Sequence, residues 1–416
     1  MSELQDQLAA LRQRMARVLE ECAEKYEKPR FKGVFRVPGP RPAALEGSPG
    51  KLPGGEIETE YGKHYESETF YAGHRRHGSA DIGELAGLPG DWLETLSHGA
   101  VRDVPPGEWA FLDTETTGLA GGTGTCAFLA GVGRITPEGF RVRQFFMRDY
   151  GEEASLLDAL ARHLEPFRVL ITYNGRAFDQ PLLETRYRLQ RARTPFAGFL
   201  DHVDLLYGAR RLWKLRFANC RLVQLEQQVL GYEREGDVPG ALIPALYFDY
   251  LHTGAGSPLL PVFEHNALDI LSLACLTAIV PHAFRDPASA PLKHGAEMTG
   301  IGRWLRAAGE MEQARGLFKR AIDAGLPDDL LFQTLWDIAA LERKLGCHAA
   351  ALAVWNDLAI SKNPFRVRAL EELAKHYEHR AKNHAMALEL TRRALALADS
   401  ADLRKREQRL AKRASN

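Results

Sequence analysis

One apolar run that ends in two acids constrains this chain more than any other feature. Trp109-Ala-Phe-Leu-Asp-Thr-Glu115 has the length and residue types of a strand, with Asp113 and Glu115 two apart at its end. Side chains two apart on a strand leave the same face, so two carboxylates are delivered to one spot. A glycine-rich stretch, Gly118 to Gly124, follows, and then a second apolar run, Cys126 to Ile135. Strand, loop and strand is the natural reading. Phe140 to Met147 predicts a third strand, Glu153 to Phe167 a helix with Leu156, Leu157, Leu160 and Leu164 on one face, and Val169 to Tyr173 a buried strand. That order calls for an α/β fold, a mixed sheet with covering helices. Paired carboxylates repel one another, and a divalent cation that coordinates both relieves the repulsion. Acids also end strands for solubility alone, so Asp-x-Glu by itself decides little.

At 416 residues the chain exceeds one ordinary domain, since domains run to roughly 100–200 residues. Hydrophobic residues at 45% and charged ones at 26% exclude a mainly disordered chain. The 54 basic residues equal the 54 acidic ones, so affinity for nucleic acid must come from a local basic patch. Five scattered cysteines without a Cys-x-x-Cys pair read as reduced thiols of a cytoplasmic protein. Met1 to Lys28 lacks an apolar signal core. The longest apolar stretch, Leu268 to Phe284, carries Asp269 and is shorter than the ~20 residues that span a bilayer, so no membrane partner is expected.

Three separated segments complete the picture around Asp113 and Glu115. Phe111-Leu-Asp-Thr-Glu-Thr-Thr-Gly-Leu119 resembles the first motif of the DEDD (DnaQ-like) 3′-5′ exonucleases, within the ribonuclease-H-like fold. Ile171-Thr-Tyr-Asn-Gly-Arg-Ala-Phe-Asp179 fits the second motif, and Glu264-His-Asn-Ala-Leu-Asp269 the third. Gly118 to Gly131, Asp204 to Trp213 and Asp237-Val-Pro-Gly240 narrow the likeness to the YprB-type ribonuclease-H-like domain, over about residues 105–285. The resemblance implies that Asp113, Glu115, Asp179 and Asp269 hold Mg2+ or Mn2+, two per site, in a two-metal hydrolysis of phosphodiesters. It also implies that Thr117, Gly118 and Leu119 line the pocket for the terminal nucleotide, with Asn174, Phe178 and Arg186 as further substrate contacts. Phe178 and Leu182 are expected to anchor the helix after the second motif. These families carry either a His five residues before the last Asp or a Tyr four before it, whereas here His265 takes the Tyr spacing. Imidazole titrates near neutrality, which suits His265 to accept the proton of the attacking water; a structural histidine is the alternative.

Two basic runs, Arg186 to Arg193 and Arg210 to Arg221, are interleaved with Tyr187, Trp213 and Phe217. They could neutralise phosphates and stack on bases, or form solvated surface. Asp201, His202 and Asp204 read as caps or supporting groups rather than ligands. The glycine-rich loop lacks a closing Gly-Lys-Ser/Thr and is no triphosphate cradle.

Leu4, Leu8, Leu11, Met15, Val18 and Cys22 form one helical seam in residues 1–28, open to homodimerisation or to packing on its own domain. Residues 29–104 begin as a Pro/Gly-rich linker from Arg30 to Pro53, continue with β-type residues from Ile57 to Tyr71, and carry no readable chemistry. Beyond Pro281 the periodicity is helical. Ala314, Leu317, Phe318 and Ala321 recur as Ala351, Val354, Trp355 and Leu358 after 37 residues, and as Ala387, Leu390, Thr391 and Ala394 after 36 more. Residues 296–400 therefore read as tetratricopeptide-like hairpins, suited to a protein partner, followed by a charged tail at 401–416. The expected activity is a metal-dependent 3′-5′ exonuclease acting on single-stranded DNA or RNA. A catalytically silent scaffold and a structure-selective endonuclease are the rivals.

Overall fold

A computed structural model describes residues 52–118, 124–196 and 200–414. The amphipathic segment 1–28 and Leu119 lie outside the described residues. Seven strands form one sheet: β1 (Gly55–Thr59), β2 (Gly62–Ala72), β3 (Trp109–Thr116), β4 (Ala127–Thr136), β5 (Gly139–Phe146), β6 (Val169–Thr172) and β7 (Asp201–Asp204). Their order is β1-β2-β5-β4-β3-β6-β7. From β1 to β3 neighbours run antiparallel, while β3, β6 and β7 run parallel. The expected α/β class, a mixed sheet flanked by helices, is therefore what the chain adopts. Strands β1 and β2 come from the segment whose Ile57 to Tyr71 shows β-type residues; β2 pairs with β5, a long-range contact that local composition does not announce.

Alternation along β3 divides the core between the two faces of the sheet. Trp109 and Phe111 join the face covered by α3 (Leu205–Trp213) and α5 (Leu260–Arg285). Ala110 and Leu112 join the opposite face with α1 (Glu153–Leu164), α2 (Asp179–Leu189) and α4 (Ile243–Thr253). Each large side chain so buried contributes about 1.5–3 kcal/mol.

Helix α5 is longer than the apolar run within it suggested. It has the length and hydropathy of a membrane-crossing helix, yet its apolar window is 72% buried inside the fold. Its approach to the sheet depends on Gly131 and Gly133 of β4. A Cβ at Gly131 would lie 2.2 Å from Asn266 Oδ1 and 2.4 Å from Ile270 Cδ1. At Gly133 it would lie 2.5 Å from Ile270 Cγ2.

Helices follow in antiparallel pairs: α6 (Gly295–Ala308) with α7 (Met311–Asp323), α8 (Asp328–Lys344) with α9 (His348–Ile360), and α10 (Arg366–His379) with α11 (His384–Leu395). The charged segment at the end forms a further helix, α12 (Ala401–Ala414), whose Leu403 and Leu410 are buried. Helix α6 lies against α3, where Glu297 accepts hydrogen bonds from Trp213 Nε1 at 3.2 Å and Arg216 Nη1 at 2.7 Å.

Candidate active site

Asp113 and Glu115 continue the face of β3 begun by Trp109 and Phe111, so both look toward α5. The parallel pairing of β3 with β6 ends at Phe111↔Ile171, which puts the two acids just beyond it. Crevices at the carboxyl ends of parallel strands are the usual ligand sites of such sheets. The register of β3 against β4 shifts between Glu115 and Thr116, an irregularity that re-aims the strand end.

The other two acids arrive from helices. Asp179 is the first residue of α2, and its Oδ1 accepts the Thr114 hydroxyl at 2.5 Å. Asp269 lies inside α5, one turn after His265, with its Oδ2 3.7 Å from His265 Nε2. The His265 Nδ1 lies 2.7 Å from Asp237 Oδ1.

Electrostatics bind the four into one group. Burial is the main force raising the proton affinity of Asp113, and the charges of Asp269, Glu115 and Asp179 add to it. Burial likewise lifts Glu115 to about 7, opposed by His265 and assisted by Asp269 and Asp179. Asp179 is lifted to about 6, again by burial first, against the hydrogen bond from Thr114. Asp269 is raised by burial even though Arg234 and His265 pull the other way. Burial disfavours a charged His265, but the bond to Asp237 and the charges of Asp269 and Glu115 outweigh it and hold its pKa above the usual value. A buried pocket that raises several carboxyls at once while favouring imidazolium carries a surplus of negative charge, which Arg234 beside Asp269 offsets only in part.

Partner side chains engage these acids. Asn266 Nδ2 donates to Asp113 Oδ2 at 2.8 Å, while Asn266 Oδ1 accepts from Gln144 Nε2 at 2.9 Å. Arg234 donates to Asp269. Among the described residues no three His, Cys, Asp or Glu side chains are already gathered into an ion cage. The donor set is nonetheless the right chemistry for a hard divalent cation, because its members are carboxylate oxygens that burden one another with charge.

The remaining expected site residues differ in placement. Thr117 pairs with Cys126 across the loop mouth through its backbone N–H at 3.0 Å, and Gly118 accepts the Thr116 hydroxyl at 2.9 Å. Asn174 sits in the left-handed region at φ 70°, its N–H held by Asp204 Oδ1 at 2.8 Å. Asp204 also caps α3, accepting from Leu206 N at 3.1 Å, in keeping with its reading as a cap. Phe178 is 57% exposed beside Asp179. It therefore does not anchor α2, which is held by half-buried Leu182, as expected, together with buried Leu183 and Tyr187. Arg186 donates to both oxygens of Glu153, at 2.5 and 2.7 Å. Tyr187 and Trp213 are buried in the core, so neither offers a face to a base. Sequence reasoning assigned no role to Asn266, Gln144, Glu226 or Arg234; only Asn266 stood inside a motif.

The RNase_H superfamily pattern matches residues 110–280, which contain all four acids. An uncharacterized protein of Bacillus subtilis (strain 168), YprB, is 34% identical over 343 residues, covering 82% of each chain. RNase H-like nucleases act on nucleic acid and generally use divalent metals, so the superfamily match supports nuclease-type activity. The chain belongs to the RNase_H superfamily, in the same family as YprB.

Proposed function

We propose that this protein is a divalent-metal-dependent nuclease that hydrolyses phosphodiester bonds from the 3′ end of a single-stranded nucleic acid. The observation that carries the reading is that Asn266 on Asp113 and Thr114 on Asp179 tie α5 and α2 to the end of β3, where the charges of Glu115, Asp179 and Asp269 all bear on buried Asp113. Those carboxylates would hold two cations, Mg2+ or Mn2+. Bound cations would supply an activated water and neutralise charge on the phosphate and the leaving oxygen.

The chain's own groups do the rest. His265, oriented by Asp237 at Nδ1, would accept a proton at Nε2 once bound cations relieve the surplus negative charge that favours its imidazolium form. Asn266 holds Asp113 and Thr114 holds Asp179, so neither carboxylate needs to be ordered at the moment of reaction. The exposed ring of Phe178 offers a stacking face next to Asp179. Thr117, Gly118, Leu119 and Asn174 would border the terminal nucleotide. The 3′ direction rests on the DEDD resemblance, and the helical hairpins of residues 295–395 would recruit a protein partner.

The test is degradation of 5′-labelled single-stranded DNA and RNA, with 3′ ends free or blocked, with Mn2+ or with chelator. A ladder that requires the metal and disappears on blocking the 3′ end is expected. Internal cuts on a blocked strand mean an endonuclease instead, and binding without cleavage means a scaffold.

A further inference from the structure

Residues 226–237 lie outside the three elements that carry the acids and outside every motif that names them, yet they reach the site. Glu226 opens a wide helical turn, Glu226–Leu230, closed by Gly231 at φ 66°. The chain then doubles back and brings Arg234 over Glu226. Arg234 Nε and Nη2 donate to the two oxygens of Glu226, each at 2.7 Å. Arg234 Nη2 also donates to Asp269 Oδ1, and Nη1 lies 3.4 Å from Asp237 Oδ2. The Glu226 side chain is 0% exposed and that of Arg234 4%. Behind them Ser272 donates its hydroxyl to Glu226 and stands 2.6 Å from His77 Nε2.

A guanidinium presents its donors in a rigid planar fork. With one side of the fork fixed on a buried carboxylate, Arg234 has no freedom to swing; Nη2 also holds Asp269 by Oδ1, while Nη1 faces Asp237 and His265 Nδ1. Asp269 Oδ2 is left toward His265. We infer that Arg234, anchored by Glu226, is a positioning residue that fixes Asp269 so that only Oδ2 is presented to a divalent cation. This rests on the metal-dependent reading above. Groups behind a metal's ligands commonly set its affinity in this way, by roughly 10- to 100-fold.

Arg234 is also a positive charge beside a cation site, and charge alone would have the opposite effect: removing it would tighten metal binding. The sign of the change therefore discriminates. The experiment is Mn2+ titration of the full chain by electron paramagnetic resonance, with circular dichroism on each variant. Arg234→Lys keeps the charge and loses the fork, and it is expected to weaken Mn2+ binding roughly 10-fold or more. Arg234→Gln should weaken it too. Binding by folded Arg234→Lys equal to that of the natural protein, or tighter binding by Arg234→Gln, overturns the inference.

If the Arg234 variants do not fold, the isosteric Glu226→Gln decides. Weaker Mn2+ binding with an intact spectrum is expected, and unchanged affinity overturns the inference. Asp113→Asn separates the two levels of the argument. No Mn2+ binding by the natural protein, or equal binding by Asp113→Asn, sinks the metal-dependent reading itself. Binding lost in Asp113→Asn but untouched in Arg234→Lys sinks only the role of Arg234.

Discussion

Glu115 and Asp179 hold their protons up to about 7 and about 6, chiefly because burial penalises the ionised forms. In the unfolded chain both carboxyls ionise near their ordinary values, about 4. The folded, cation-free protein thus binds more protons than the unfolded chain between those limits. Stability from these groups is complete below the ordinary carboxylate range and is lost as pH rises through about 7. A cation reverses the balance by favouring the ionised carboxylates. We expect the melting temperature of the chelated protein to fall between about pH 4 and pH 7, and the increment given by Mn2+ to grow over that interval. Calorimetry at several pH values checks this, and a pH-independent increment contradicts it. Strand periodicity put Asp113 and Glu115 on one face, while Asp179 and Asp269 were picked out by the likeness of their segments to family motifs. Arg234 was not, because its partner Asp269 is 35 residues away and the turn that unites them depends on Gly231 and on burial of Glu226.

Helix α5 and strand β4 act as one element of the site, because the helix can deliver Asn266 and Asp269 only where the strand has no side chain. Gly131→Ala would put a methyl against Asn266 Oδ1 and Ile270 Cδ1. It should cost about 1–3 kcal/mol of stability and weaken Mn2+ binding as Asn266 is pushed off Asp113. Gly107→Ala, where a Cβ meets nothing within 4 Å, is the control. Urea melts and Mn2+ titration of the two variants check this; equal behaviour would contradict it. The elements from β3 to β6 were readable because each carries its own apolar pattern. Strands β1 and β2 and the short β7 were not read as members of the sheet, since an edge strand is defined by the partner it finds. Likewise Tyr187 and Trp213 lie among arginines in sequence but face the core in space.

Across the described molecule, the core under α3 and α5 continues without a break into the first helical hairpin. Val280, Phe284, Met298, Ile301 and Leu305 belong to the same buried cluster as Trp109 and Phe111. The later hairpins have a cluster of their own around Trp355 and Leu370. The helical region is therefore a wall of the catalytic layer at its beginning and a separate body only farther along. A chain ended after Asp286 should melt at a lower temperature or aggregate, because Phe284 and the α3 face lose their cover. A chain ended after Leu345 should keep more of the stability of the sheet. Thermal melts of both check this, and equal melting temperatures of the shorter chain and the whole protein would contradict it.

The most direct measurement is Mn2+-dependent cleavage of a single-stranded oligonucleotide by the natural protein and by Asp113→Asn, prepared identically. The prediction is a fall of at least about 100-fold in the variant, with no loss of melting temperature, since one of four mutually repelling charges is removed. Undiminished turnover by a correctly folded Asp113→Asn would contradict a nuclease site at the end of β3.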